Sequence, residues 1–569
     1  MDYKKVSRRI LKAVGGRNNI LLLEQCATRL LFSIKDESLV DIAALEKIDG
    51  VLGVNQSRNL EVAIGTEVGQ VFAALAQAEV TIKGKVGQSV YNEVALWRLG
   101  LFAFNNTATN LYMIGMAYVS YYASGIAGLA VVTVGTILTL MRIFDGFTDP
   151  IVGYFIDKTD GKFGKFRPFM VAGNVILGIM TLTIYHTTHL VDPKYRLVYF
   201  IAMYAIYIIG YTFQTACTKA GQAAMTNNPE TRPKFGLFDM LYNSIIMTGI
   251  SLYVSTYLVP KHGGFQELAL FHELALTVVI FSGILTALAV IGIWTKDRTE
   301  FFGLGEGSTK TTFKDYWPVL KGNRPLQMLI VAAGTDKIAL SVAGNATVAV
   351  MLYGIIIGDF SLSGLIGMIV LVPTLLITLW GTKYAGKFGQ KKALVFGTQA
   401  SIVMYGILFL FFLLADPTQI SLKNFGLTTA LFLILLIISN GAKTISGAFV
   451  IPMISDCADY ETYKSGRFVP GMMGTLFSFV DKLISSFASM IIAFSVAAIG
   501  FTDRMPDITD GATPQIFWLT MALFIGLPVL GWIASLIAMK FYDLDKEKMI
   551  EVQKHIQSEK EKYILSQVE

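Results

Sequence analysis

Asp145 and Asp149 stand four residues apart, with Thr148 between them, in an apolar run that begins near Leu129 and is long enough to cross a bilayer. On a helix all three share one side, so they form a single acidic site at hydrocarbon depth. Two carboxylates this close in a low dielectric stay ionised together only with a cation between them or a basic side chain against them; otherwise a proton neutralises one. The chemistry this points to is reversible capture of a coupling ion, Na⁺ or H⁺, with Na⁺ held at Asp145 and Asp149. The alternative is a structural ion pair with Arg142 or with a lysine on another helix.

Such a site needs a membrane domain to position it. At 569 residues, 53% hydrophobic and only 15% charged, the chain is too apolar for a soluble multidomain protein. A net charge of +6 is small for this length and argues against nucleic-acid binding. The three cysteines, Cys26, Cys217 and Cys457, stand in unrelated contexts, which indicates neither a disulfide framework nor a metal cluster. No cofactor is expected beyond the coupling ion.

Residues 1–80 differ from the rest, with mixed charge and short alternating apolar runs. They predict a small α+β domain: helices over 4–14, 42–48 and 67–78, and strands over 20–24, 29–34, 51–54 and 60–65. A polar linker, 81–96, leads to twelve apolar segments in two sets of six, 97–295 and 326–541. A basic loop, 296–325, separates the sets, and a charged helical tail, 542–569, follows. Lysine and arginine favour the loops that would put both termini, and the N-terminal domain, in the cytoplasm of a cell membrane. No cleaved signal peptide is expected. The loops GKFGKFR (161–167) and GKFGQKK (386–392) repeat after the second helix of each set, the pseudo-symmetry that alternating access uses. Charges on and near such loops, Asp157, Asp160 and Arg167 on one side and Asp456, Asp459, Glu461 and Arg467 on the other, are expected to gate the cytoplasmic side in one state.

DGFTDP with its following loop GKFGKFRPF, and DCADYETYKSGR (456–467), together resemble the glycoside-pentoside-hexuronide:cation symporters, the melibiose permease group of the major facilitator superfamily. Helix and loop order matches from about Trp97 to Tyr542. The resemblance implies an all-α membrane domain of twelve helices in two six-helix bundles, a sugar-class solute, and Lys482 placed near the cation site. Where that family holds its sugar with acids in the first and fourth helices, this chain has Thr107 and Cys217. Lys219 in the fourth span and Lys443 in the tenth stand out instead, and with Asn106 and Tyr211 they complete the expected solute contacts. Several lysines in one cavity suit an anionic solute such as a uronide, a sugar acid or a phosphorylated compound. If they pair with Asp145, Asp149, Asp239, Asp336 or Asp481, a neutral glycoside is equally consistent. Tyr112, Tyr121, Tyr353 and Trp380 either stack on a sugar ring or pack.

The run NNILLLEQCATRLLFSIKD (18–36), with Gly15, Gly16, VLGV and Ile64-Gly65 at fitting distances, resembles the glucose-type enzyme IIB domain of the bacterial phosphotransferase system. It implies that Cys26 accepts a phosphoryl group from an enzyme IIA-like partner, with Arg29 and Thr28 holding the phosphate. Leu31 stands where that family usually has a second arginine. The reading is a bacterial secondary carrier, not an enzyme, regulated by phosphotransferase status through docking of this domain on the cytoplasmic loops. Its rivals are a group-translocating permease that phosphorylates its sugar through Cys26, a carrier of lysolipids or other amphiphiles, and a solute sensor.

Overall fold

The structure, a computed structural model, describes residues 3–25, 29–56, 60–64, 67–77, 94–159, 161–226, 231–298, 320–465 and 470–566. It divides into two compact units, residues 1–92 with 550–569, and residues 93–549.

The first unit holds α1 (Tyr3–Ala13), β1 (Ile20–Gln25), β2 (Arg29–Ile34), α2 (Ile42–Glu46), β3 (Gly53–Gln56), β4 (Leu60–Ala63) and α3 (Val68–Gln77). The strands pair antiparallel in the order β1-β2-β4-β3. Alternation along β2 and β4 buries Leu30, Phe32 and Val62 fully, in one core with Ile10 of α1 and Val71 and Leu75 of α3. Gly15 has a φ of +87°, and a Cβ there would collide with Asn19 and Leu39, so the turn out of α1 requires glycine.

The second unit begins with α4 (Leu96–Gly115), α5 (Val131–Lys158), α6 (Arg167–Thr187), α7 (Pro193–Met225), α8 (Arg232–Tyr253) and α9 (Leu268–Ile293). Six further crossings follow: α10 (Arg324–Ala343) with α11 (Ala346–Ile356), then α12 (Ser361–Phe388), α13 (Gln390–Leu414), α14 (Leu427–Ser465), α15 (Pro470–Ala498) and α16 (Pro514–Lys540). The helix α17 (Lys546–Ser566) ends the described chain.

Among the described residues, eleven helices are long and apolar enough to cross a membrane. The twelfth crossing is α4, whose apolar run is broken by Asn105, Asn106 and Asn110. It lies along α9 in the opposite direction: Gly292 abuts Phe102, the Ser282 hydroxyl donates to the Ala108 carbonyl at 3.1 Å, and Gly115 abuts Val278. Exposed apolar residues repeat at helical spacing on the outer faces, as in Leu237, Leu241 and Ile245 or Val372, Leu376 and Leu379. Such stripes belong in lipid, and the protein is a multi-pass membrane protein.

At the end bearing the basic loops, buried Asp297 accepts from the backbone N–H groups of Lys165 (2.7 Å), Phe166 (3.1 Å) and Arg167 (2.9 Å), and from Arg167 Nε at 3.2 Å. Gly164, at φ +86°, makes room for that carboxylate; a Cβ would overlap it. In the second half Lys391 Nζ donates to the Tyr542 carbonyl at 2.5 Å. The repeated loops are thus each tied to the chain leaving the sixth helix of their own half. Contacts between the halves gather towards the opposite end. Val131 N–H donates to the Thr502 carbonyl at 2.9 Å, Phe265 N–H donates to Asp507 at 3.1 Å, and Gly364 lies against Leu252 and Ser255.

Candidate functional site

Three helices build the acid site. α5 supplies Arg142, Asp145, Thr148 and Asp149 on one face, α7 supplies Thr212, and α15 supplies Lys482. Gly135 brings α5 and α15 together, since its Cβ position is filled by Ala493 and the Ser489 carbonyl. Thr139 then ties the two helices by donating to the Ser486 carbonyl at 2.9 Å. This close approach carries Lys482 of one half to the carboxylates of the other.

Asp145 is fully buried. One of its oxygens lies 3.1 Å from Lys482 Nζ and 3.3 Å from Arg142 Nη1, and the other accepts from the Thr212 hydroxyl at 3.3 Å. Lys482 Nζ also meets Asp149 at 2.5 Å, so one ammonium bridges both acids. Thr148 donates to the Asp145 carbonyl at 3.0 Å and shares a 2.8 Å hydroxyl contact with Thr212. Pro150 sits inside α5 immediately after Asp149; lacking an N–H, it leaves the Gly146 carbonyl without its helical donor. Two acids and two bases make the cluster neutral. Both partners anticipated from sequence, Arg142 and a lysine on another helix, are present together.

In this cluster two carboxylates and two threonine hydroxyls come together, a set of oxygens suited to Na⁺ once Lys482 withdraws. A proton needs only one of the acids. Thr212 was not visible as a site residue in the sequence, where it is one hydroxyl among many in an apolar helix.

Members of the cluster line two cavities, Arg142 one and Lys482 the other. One of about 440 Å³ is lined by Arg142, Tyr204, Tyr207, Tyr211, Lys337 and Asn345, with Ser485, Ser486 and Ser489 opposite. The other, about 330 Å³, is lined by Asn106, Tyr211, Thr215, Thr218, Lys219, Gln222, Asp239 and Lys482. Asn106, Tyr211 and Lys219 therefore reach a cavity, and Asn106 donates to Asp239 at 2.8 Å. Thr107 and Cys217 do not line either one. Both are buried, with Thr107 bonded to its own helix and the Cys217 thiol donating to the Phe166 carbonyl at 3.5 Å. Lys443 is half-buried on α14 and lines neither cavity. Lys337 approaches Asp481 at 3.8 Å.

Of the other aromatics, Tyr112 and Tyr121 are buried, while Trp380 packs on Tyr384 and Phe396. Their surroundings are those of packing side chains. Among the gating residues, Arg167 is engaged by Asp297 of its own half, and Glu461 accepts from Asn323 at 3.0 Å within the other. Asp456 and Asp459 stand one turn apart on α14. Arg467, Asp160 and the Asp157 side chain lie outside the described residues. Cys26 and Thr28 lie outside them too; Arg29, at the start of β2, pairs with Glu61 at 2.7 Å.

The profile of the MFS/sugar transport protein family matches residues 101–546, and that of the phosphotransferase system EIIB matches residues 8–41. An uncharacterized symporter, YjmB of Bacillus subtilis (strain 168), is 26% identical over 438 residues, which are 75% of this chain and 89% of that protein. The glucuronide carrier protein homolog of Escherichia coli (strain K12) is 21% identical over 475 residues, 81% of this chain and 98% of that protein. At the N-terminus, 79 residues are 40% identical to the sucrose-specific EIIBC component of the Bacillus subtilis phosphotransferase system, 14% of this chain and 17% of that protein. The family match spans both bundles and every residue of the acid cluster, and the chain belongs to the MFS/sugar transport protein family, with a phosphotransferase EIIB domain in front of its membrane domain.

Proposed function

We propose that the membrane domain is a symporter that carries a sugar or sugar acid together with Na⁺ or H⁺, with the cation binding at Asp145 and Asp149 in competition with Lys482. The observation that carries this reading is the single ammonium that bridges both acids from the opposite bundle. A cation arriving at the acids takes over the role of Lys482 and releases the tie between α5 and α15. Ion binding then acts on the contact that must loosen for the two bundles to rock. The excess of basic residues supports a cytoplasmic position for the loops of 161–167 and 386–392; in that orientation the far-end contacts close the outward side and the described state faces inward.

Lys219 supports an acidic cargo. It lines a cavity and, among the described residues, has no ion-pair partner. The likeness to a glucuronide carrier homolog agrees with this chemistry. The EIIB domain reports phosphotransferase status to the carrier, with Cys26 accepting a phosphoryl group from an enzyme IIA-like protein. Arg29 would have to leave Glu61, or share its guanidinium, to meet that phosphate.

The test is uptake into proteoliposomes under an imposed Na⁺ or H⁺ gradient, with methyl β-glucuronide and methyl β-glucoside as probes. Gradient-driven accumulation of chemically unmodified solute is expected. Accumulation only of a phosphorylated product, or none beyond equilibration with either gradient, contradicts the reading.

A further inference from the structure

A second buried acid stands apart from the site above. Asp336, on α10 inside the C-terminal bundle, is 8% exposed. One of its oxygens accepts long hydrogen bonds from Ser446 of α14 (3.4 Å) and Ser535 of α16 (3.3 Å), while Oδ1 has no partner. Packing leaves little room for rearrangement, because Gly531 of α16 presses on the Thr335 carbonyl and Gly334 on Ile484 of α15.

The charges on the helices around it are committed elsewhere or stand apart. Lys337 approaches Asp481, and Lys482 bridges Asp145 and Asp149. Glu461 is bonded to Asn323, Asp456 and Asp459 follow on the last turns of α14, and Lys540 ends α16. Lys443 of α14 precedes Ser446 by three residues, on the same side of that helix, and has no ion-pair partner among the described residues. No cation lies within ion-pair distance of Asp336 among the described residues. An ionised carboxylate in such a place is far costlier than a neutral acid, and two weak hydroxyl bonds do not offset the difference.

We propose that Asp336 is a proton-binding site of the C-terminal bundle, separate from the Asp145 and Asp149 cluster, and that it holds a proton in this state. When the bundle opens to water the proton passes to water, leaving a carboxylate that Lys443, one turn from the Ser446 that bonds it, can neutralise. Na⁺ is the poorer occupant, because Oδ1 has no hydrogen-bond partner, only two serine hydroxyls reach the other oxygen, and Lys443 adds positive charge. The proposal does not depend on which ion the acid cluster binds.

Infrared difference spectroscopy of the purified full chain at neutral pH tests it. The carbonyl stretch of a protonated buried carboxyl is expected in the parent protein and in the Asp145→Asn, Asp149→Asn double variant, and is expected to disappear in Asp336→Asn. Ser446→Ala and Ser535→Ala, which leave the acid in place, are expected to shift that band by removing its hydrogen bonds. A band retained in Asp336→Asn, or lost in the Asp145 and Asp149 variant, overturns the proposal. If Asp336→Asn does not fold, a band unmoved by both serine variants overturns it equally.

Discussion

Replacing Lys482 by methionine removes the ammonium that bridges both acids and leaves Asp145 with Arg142 as its remaining base among the described residues. At an effective dielectric of about 20, unit charges 3.1 Å apart attract by about 5 kcal/mol. Desolvation of Lys482 and Asp145 offsets much of that, and the shorter contact to Asp149 is weakened by that side chain's 31% exposure. The cost of leaving Asp145 fully buried beside one remaining base is then roughly 3–5 kcal/mol. Adding Asp145→Asn removes the buried charge and leaves Arg142 and the partly exposed Asp149 with no net charge between them, so the double variant is expected to regain about half or more of that loss. Equilibrium unfolding of the parent, both single variants and the double variant in mixed micelles measures the coupling. Strictly additive losses would refute the claim that these groups form one charge-balanced site.

Thr212→Val removes the hydroxyl on Asp145 and on Thr148; a loss of about 1 kcal/mol is expected, read as a several-fold weaker cation dependence of solute binding, with binding at saturating cation unchanged. Lys219→Ala is expected to lower uptake of methyl β-glucuronide at least tenfold while sparing methyl β-glucoside; equal losses of both count against an acidic cargo. Gly164→Ala forces a side chain into the Asp297 carboxylate at a left-handed backbone position, and a destabilisation of roughly 1–3 kcal/mol is expected in thermal unfolding. Incubating the full chain with a phosphorylated enzyme IIA-like protein is expected to add one phosphoryl group by mass spectrometry, lost in Cys26→Ser; an unmodified parent chain argues against Cys26 as acceptor.

Much of this architecture could be read before any coordinates. Hydropathy marks the spans because lipid demands it, and the strand pattern of the N-terminal domain follows from alternation that buries residues such as Leu30 and Phe32. Asp145 and Asp149 stood out because acids are costly in hydrocarbon. The span of α4 is the weakest by hydropathy, since its asparagines serve the bundle interior and a cavity, as Asn105 on Thr218 and Asn106 on Asp239 illustrate. Composition and spacing alone do not say which lysine meets which acid, because Lys219, Lys443 and Lys482 look alike in an apolar helix. The family resemblance points to Lys482, and the packing at Gly135 brings it to the acid pair. Thr212 and the freed Gly146 carbonyl depend likewise on how α5 meets α7 and on a proline's missing hydrogen. Arg167 reads as a loop charge available for gating, yet the buried Asp297, distant in sequence, engages it within its own bundle.

The most direct test of the account is solute movement in proteoliposomes carrying Asp145→Asn with Asp149→Asn, measured both as uphill accumulation under a cation gradient and as solute exchange without one. Loss of accumulation with exchange retained is the expected result. Accumulation undiminished in the double variant contradicts the assignment of these two acids as the cation site.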